Sequence, residues 1–128
     1  MVQLLTSKAI NIKLINRIAE VKEISVESKH SYSVNYADDN THCRAFLQIE
    51  IVSLGEPEIL TIGCTLEGDF LVPEIKTDDD KKQVHVECHR ALFPYAQSML
   101  ARICIEGGLP PFYFPEPDIK IEDVIIKE

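Results

Sequence analysis

Ala91-Leu92-Phe93-Pro94-Tyr95-Ala96, closed further on by Gly107-Gly108-Leu109-Pro110-Pro111, encloses Gln97 to Glu106, a run that is apolar around most of a helical circumference. Glycine adopts the left-handed backbone that ends a helix, so Gly107-Gly108 supplies a C-terminal stop, and Pro110-Pro111 prevents continuation. Nothing in this stretch can do chemistry: it has no nucleophile–base pair, no clustered carboxylates and no phosphate loop. It reads as a buried or interfacial helix. The question it raises is which surface is covered.

Upstream, the helix begins at about Val84 or His89, and Pro94 is expected to break or kink it, giving a short first piece and a longer second one. Lys76-Thr77-Asp78-Asp79-Asp80-Lys81-Lys82 reads as a solvated connector; its aspartates lack the glycine and bidentate glutamate of a calcium loop. Before it stand two strands joined by a hairpin at Leu54-Gly55-Glu56-Pro57. Arg44 to Val52 is the best strand, and Glu58 to Val72 returns with a bulge or bend at Gly68-Asp69. Val21 to Glu27 and Tyr32 to Tyr36 alternate as further strands, or as one strand across a kink at Ser28–Ser31. Residues 4–20 are ambiguous. Ile10, Leu14, Ile18 and Val21 recur at helical spacing, while Ile10, Ile12 and Leu14 also alternate as a strand would; a helix is expected. The order is α, antiparallel β, then α: a single α+β domain over residues 1–128, with helix on one sheet face.

Composition narrows the function. With 45% hydrophobic and 27% charged residues in 128, the chain is an ordinary folded domain. A formal net charge of -8 argues against nucleic-acid binding, which needs clustered Lys and Arg. No leader and no run of ~18 apolar residues is visible, so a cytoplasmic protein without membrane insertion is expected. Cys43, Cys64, Cys88 and Cys104 form no CxxC pair and read as small buried hydrophobes. His85, Glu87 and His89 would share one face of a strand, but a zinc site there needs a further ligand, so no metal or other cofactor is expected. No serine sits in a glycine-flanked elbow, and an enzyme is not expected.

The aromatics are the remaining signal. Phe93, Tyr95, Phe112, Tyr113 and Phe114 lie close in sequence, and alternation puts Phe112 and Phe114 on one face with Tyr113 on the other. One face packs on the helix and sheet; the other must be wet or matched by a partner. Pro115 and Pro117 confine the segment to a sheet edge or an exposed arm. A hydrophobic groove for an extended chain would fit.

Leu92-Phe93-Pro94-Tyr95-Ala96 with Gly107-Gly108-Leu109-Pro110-Pro111 resembles the signature of the SecB export chaperones. That family opens on leucine-phenylalanine-proline-tyrosine-alanine-arginine and closes on glycine-aromatic-proline-proline; here Gln97 replaces the arginine and Leu109 the aromatic. Ser53-Leu54-Gly55-Glu56 is similar to the family's central hairpin, and Lys22 to Glu27 to its first strand. The resemblance implies a four-stranded antiparallel sheet with the Phe93–Glu106 helix packed on it, assembled as homodimer or homotetramer. It implies an ATP-independent holdase that binds unfolded or precursor polypeptides, for export or for one dedicated client of the antitoxin type. A non-chaperone interaction subunit with the same fold is the alternative. Candidate client-binding residues are Leu71, Val72, Phe112, Tyr113 and Phe114. Glu23 and Glu27 match the family's positions for docking SecA, while Gly63-Cys64-Thr65 stands where the neighbouring strand's acid is expected. Ile119 to Glu128 alternates like a strand where the family carries a last long helix.

Overall fold

The computed structural model describes residues 2–19, 24–55, 59–117 and 119. Four strands, β1 (Gln3–Asn16), β2 (Val26–Tyr36), β3 (His42–Ser53) and β4 (Leu60–Leu71), precede one helix, α1 (Asp78–Glu106). They form a single antiparallel sheet in the order β1-β4-β3-β2, so β1 and β2, consecutive in sequence, occupy opposite edges.

The central pair follows from strict alternation. Cys43, Ala45, Leu47, Ile49 and Ile51 of β3 and Leu60, Ile62, Cys64, Leu66 and Phe70 of β4 are all buried. Pairings such as Leu47 with Leu66 and Ile51 with Ile62 bring these rows onto one face, which α1 covers. The opposite face is charged. Arg44 bridges Glu67 and Asp69 at 2.8 Å each, Lys8 lies 3.7 Å from Glu67, and Lys13 lies 3.6 Å from Glu50. The Arg44 hydrogen bond holds the Asp69 carboxyl below the usual carboxylate range.

Several expectations are corrected. Residues 3–16 form a strand, not a helix. Its pairing with β4 jumps from Leu4/Phe70 to Thr6/Asp69 and from Ala9/Leu66 to Asn11/Thr65, so Leu5 and Ile10 are extra residues. Two bulges each shift the alternation by one, which is why neither period is clean over this stretch. The irregularity expected at Gly68-Asp69 therefore sits on the partner strand, since β4 pairs with β3 without interruption there. β2 runs unbroken through Ser28–Ser31, in register with Ile51 to Gln48 of β3. The expected strand residues Val21 to Glu23 lie outside the described residues.

The aspartate connector is the first turn of α1. Thr77 is its N-cap: the hydroxyl accepts from the Asp80 N–H at 3.2 Å, and Asp80 accepts in return from the Thr77 N–H at 3.2 Å. A further N–H, from Lys76 at 2.9 Å, helps hold the Asp80 carboxyl below its ordinary range. Three carboxylates here also meet the positive end of the helix dipole. Thr77→Ala should cost about 1 kcal/mol of stability, read as a lower urea midpoint at unchanged slope; an unchanged midpoint would remove the cap's role.

Pro94 does not break α1, which runs continuously through it. A proline inside a helix costs about 3 kcal/mol. Against that stand Leu92, Phe93, Ala96 and Leu100, all buried, where each large side chain contributes about 1.5–3 kcal/mol. Pro94 itself is exposed, so water can reach the carbonyl that its missing N–H leaves unpaired. Packing on both sides outweighs the local penalty.

Candidate functional site

The end of α1 positions the aromatic segment. The Gly108 N–H donates to the Ile105 carbonyl at 3.0 Å and the Leu109 N–H to the Cys104 carbonyl at 2.9 Å, with Gly108 at φ 76°. This paired closure requires a left-handed residue, which glycine supplies without strain, and it turns residues 109–117 back along the helix. There the Gln97 side chain brackets Phe114. Its Nε2 donates to the Phe114 carbonyl at 2.6 Å, and its Oε1 accepts from the Phe114 N–H at 2.7 Å. An amide satisfies a backbone unit as a neighbouring strand would, so the segment is held without joining the sheet. Of the sheet edge or exposed arm anticipated, the segment joins no sheet edge; it is an irregular strap along α1.

Burial divides the five aromatic and aliphatic candidates. Phe114 is 5% exposed and packs against the rings of Phe93 and His30. Phe112 and Tyr113 are 37% and 65% exposed. Phe112 lines an apolar groove of about 260 Å³ with Val26, Ile51, Leu60, Ile62 and Leu109. Leu71 is exposed and Val72 buried at the other end of β4 from Leu60. At about 3.3 Å per residue that separates them from the groove by roughly 35 Å. The strap and the β4 terminus are two patches. Val26, Ile51 and Leu60 were missed by the sequence reading because an alternating strand shows which residues share a face, not where that face remains uncovered.

Glu27 is exposed near the start of β2, opposite Val52 of β3; Glu23 lies outside the described residues. The tail beyond Ile119 does too. His85 and His89 are on a helix rather than a strand, one turn apart, with Glu87 pointed elsewhere: it accepts from the Val2 N–H at 3.4 Å. Among the described residues no group of three or more potential ligands could hold a metal ion. His89 instead meets His30, Nε2 to Nε2 at 2.9 Å, and stacks on Phe93. Burial, then the neighbouring His30 and His85, pushes the His89 imidazole down to about 4. All four cysteines are free and buried, with Cys43 and Cys88 Sγ 3.6 Å apart.

Among the described residues, no helix is long and apolar enough to cross a membrane. No family model matches the chain. Over 45 residues it is 40% identical to the protein-export protein SecB of Caulobacter vibrioides (strain NA1000 / CB15N), covering 35% of this chain and 28% of that protein. Over 79 residues it is 29% identical to the protein-export protein SecB of Afipia carboxidovorans, covering 61% of this chain and 49% of that one. The matched stretches thus span less than half of these curated relatives. In structure the chain is similar to the Mycobacterium tuberculosis Rv1957 SecB-like chaperone in complex with a ChAD peptide from the Rv1956 HigA1 antitoxin. The TM-score is 0.67 at 12% identity, over 91% of this chain and 88% of that one. The chain has the SecB-like α+β fold and is a divergent SecB-like protein in sequence and architecture.

Proposed function

We propose that the protein is an ATP-independent holdase for unfolded polypeptides, serving export or one dedicated client. The observation that carries this is the exposed pair Phe112 and Tyr113 beside the apolar groove at Val26, Ile51 and Leu60. A holdase needs apolar surface that accepts many side chains, and an aromatic pair on a backbone strap offers contact area with few rotamers to freeze. The peptide-bound state of its structural neighbour supports a polypeptide as the ligand class. Leu71 would form a second contact zone with buried Val72 supporting it, reached by the same extended client, and Phe114 supports the first from beneath. A dimer or dimer of dimers fits β1, an edge strand exposing Leu5, Ile10, Ile12 and Leu14. Four copies would carry 4 × -8 = -32 charges, favouring basic clients. The charged open face, with Glu27 at its margin, is the proposed contact for a SecA-like partner in the cytoplasm, and Glu23, outside the described residues, is proposed for the same role from the resemblance alone.

The test is aggregation suppression. A chemically unfolded client is diluted into buffer without nucleotide, with and without the protein, and light scattering is followed. Suppression near stoichiometric assembly is expected. Phe112→Ser with Tyr113→Ser should weaken client affinity at least ~10-fold, since truncating aromatic anchors commonly costs more than 1–2 kcal/mol. Both side chains are substantially exposed, so the assembly should stay intact. Dissociation of the assembly, with no change in client binding, would instead favour a structural interaction subunit.

A further inference from the structure

We infer that the His30–His89 pair and Phe114 form an acid-released latch, which holds the strap of residues 109–117 against α1 near neutrality and frees it as the pH falls. This does not rest on the holdase reading, because it concerns the strap's attachment and not what the strap binds.

The geometry is that of a hydrogen bond rather than a chelate. The facing Nε2 atoms are 2.9 Å apart while the ring centroids are 5.1 Å apart, so the imidazoles meet nearly head on instead of converging on a third point. Such a bridge contains one proton. It forms when one ring is protonated at Nε2 and the other is not, and it survives one added proton because the charged ring still donates. It cannot survive two, when both nitrogens carry hydrogen and both rings are cationic.

The surroundings make added protons costly while the strap is closed. Phe114 covers His30 at a centroid distance of 6.4 Å, and Phe93 stacks on His89 at 5.6 Å. From β2, Tyr32 meets His89 edge-on at 4.9 Å; its hydroxyl is already committed to the His85 carbonyl at 2.7 Å. From α1, the His85 ring sits 4.7 Å from Tyr32, and the adjacent Cys88 thiol is turned toward Cys43. From β3, Ile49, opposite His30, is apolar and buried. The charged groups in reach are Arg90 and Glu116, which line a cavity of about 470 Å³ with His89. Among the described residues neither imidazole has a carboxylate hydrogen-bond partner. Burial accordingly lowers all three histidines, His89 to about 4. Lifting Phe114 would expose half-buried His30 and buried His89 more fully to water, so the open form takes up protons more readily than the closed form, and acid favours opening.

The Phe114 amide, donated to Gln97 Oε1, reports the latch directly. Its hydrogen exchange should be measured by NMR from pH 7 to pH 5, corrected for the intrinsic rate. At least ~10-fold loss of protection is expected, since one proton taken up adds up to tenfold per pH unit. Core amides such as Leu47 and Leu66, which open only with the whole fold, should stay far better protected than Phe114 at every pH. His30→Gln, which can still accept or donate across the bridge but does not titrate, and His89→Phe, which keeps the ring stack, should each reduce the pH dependence. Imidazole ¹⁵N shifts of the unmutated protein supply a check independent of variant folding, with both histidines titrating below 6.5. The latch is overturned by unchanged Phe114 protection, by core amides exchanging as readily as Phe114, by variants retaining the full dependence, or by two independent titrations at or above 6.5.

Discussion

Phe70→Ala is expected to lower the unfolding free energy by about 3–5 kcal/mol, the range for deleting a fully buried aromatic ring. Phe70 is 0% exposed and lies opposite Cys43 of β3 and Leu4 of β1, in the row that α1 covers. The room for it is made by Gly68, its neighbour on the same face. A Cβ added at Gly68 would stand 3.0 Å from Phe70 Cε2 and 3.0 Å from Leu92 Cδ1. Phe70 and Leu92 thus both lie over a position without a side chain. Equilibrium urea unfolding checks this, with the midpoint falling and the slope unchanged. The contrast is Phe46→Ala. Phe46 is half-buried on the charged face, so its loss should cost about 1 kcal/mol. Equal costs for the two substitutions would show that α1 does not cover the face assigned to it.

The parts of the fold legible in the sequence are those where one local rule acts alone. β3 and β4 alternate cleanly because both lie inside the sheet with one face covered and one charged, and the glycine stop of α1 is written in adjacent residues. β1 was misread because it is an edge strand: Leu5, Ile10, Ile12, Leu14 and Ile15 are exposed, so no half of the pattern is forced to be polar, and two bulges scramble the rest. Thr77-x-x-Asp80 is a capping signature that was present and passed over, masked by the run of charges around it. Pro94 misled for the opposite reason, since its local penalty is real and only tertiary packing overrides it. Of the site, the exposed aromatics were visible, and their division into a buried Phe114 and an open Phe112–Tyr113 pair was not. That division depends on Gln97, seventeen positions away along the chain. The His30–His89 bridge was not legible at all, because it joins the outer strand β2 to the middle of α1 across 59 residues.

Between pH 7 and pH 5 the protein should lose on the order of 2 kcal/mol of stability, chiefly through His89. Unfolded, this imidazole binds a proton near its ordinary 6.5, whereas burial holds the folded one to about 4. In that window the unfolded chain carries more protons, so stability rises with pH and is lost as pH falls, at up to ~1.4 kcal/mol per unit. His30 and His85 are lowered in the same sense and steepen the slope. The carboxylates act elsewhere. Asp69 and Asp80 sit below 3.8 in the fold, so their contribution is intact through pH 5 and disappears only in stronger acid. Urea unfolding at fixed ionic strength, carried from pH 7 through pH 5 into stronger acid, separates the two groups. His89→Phe should flatten the curve from pH 7 to pH 5 and leave the more acidic loss in place. An unchanged slope in His89→Phe would mean that the folded protein admits a proton to this ring without cost, and that the aromatic enclosure is open to water at neutral pH. A flattened slope ties the acid sensitivity of the whole fold to one buried ring, placed where the strap, β2 and α1 meet.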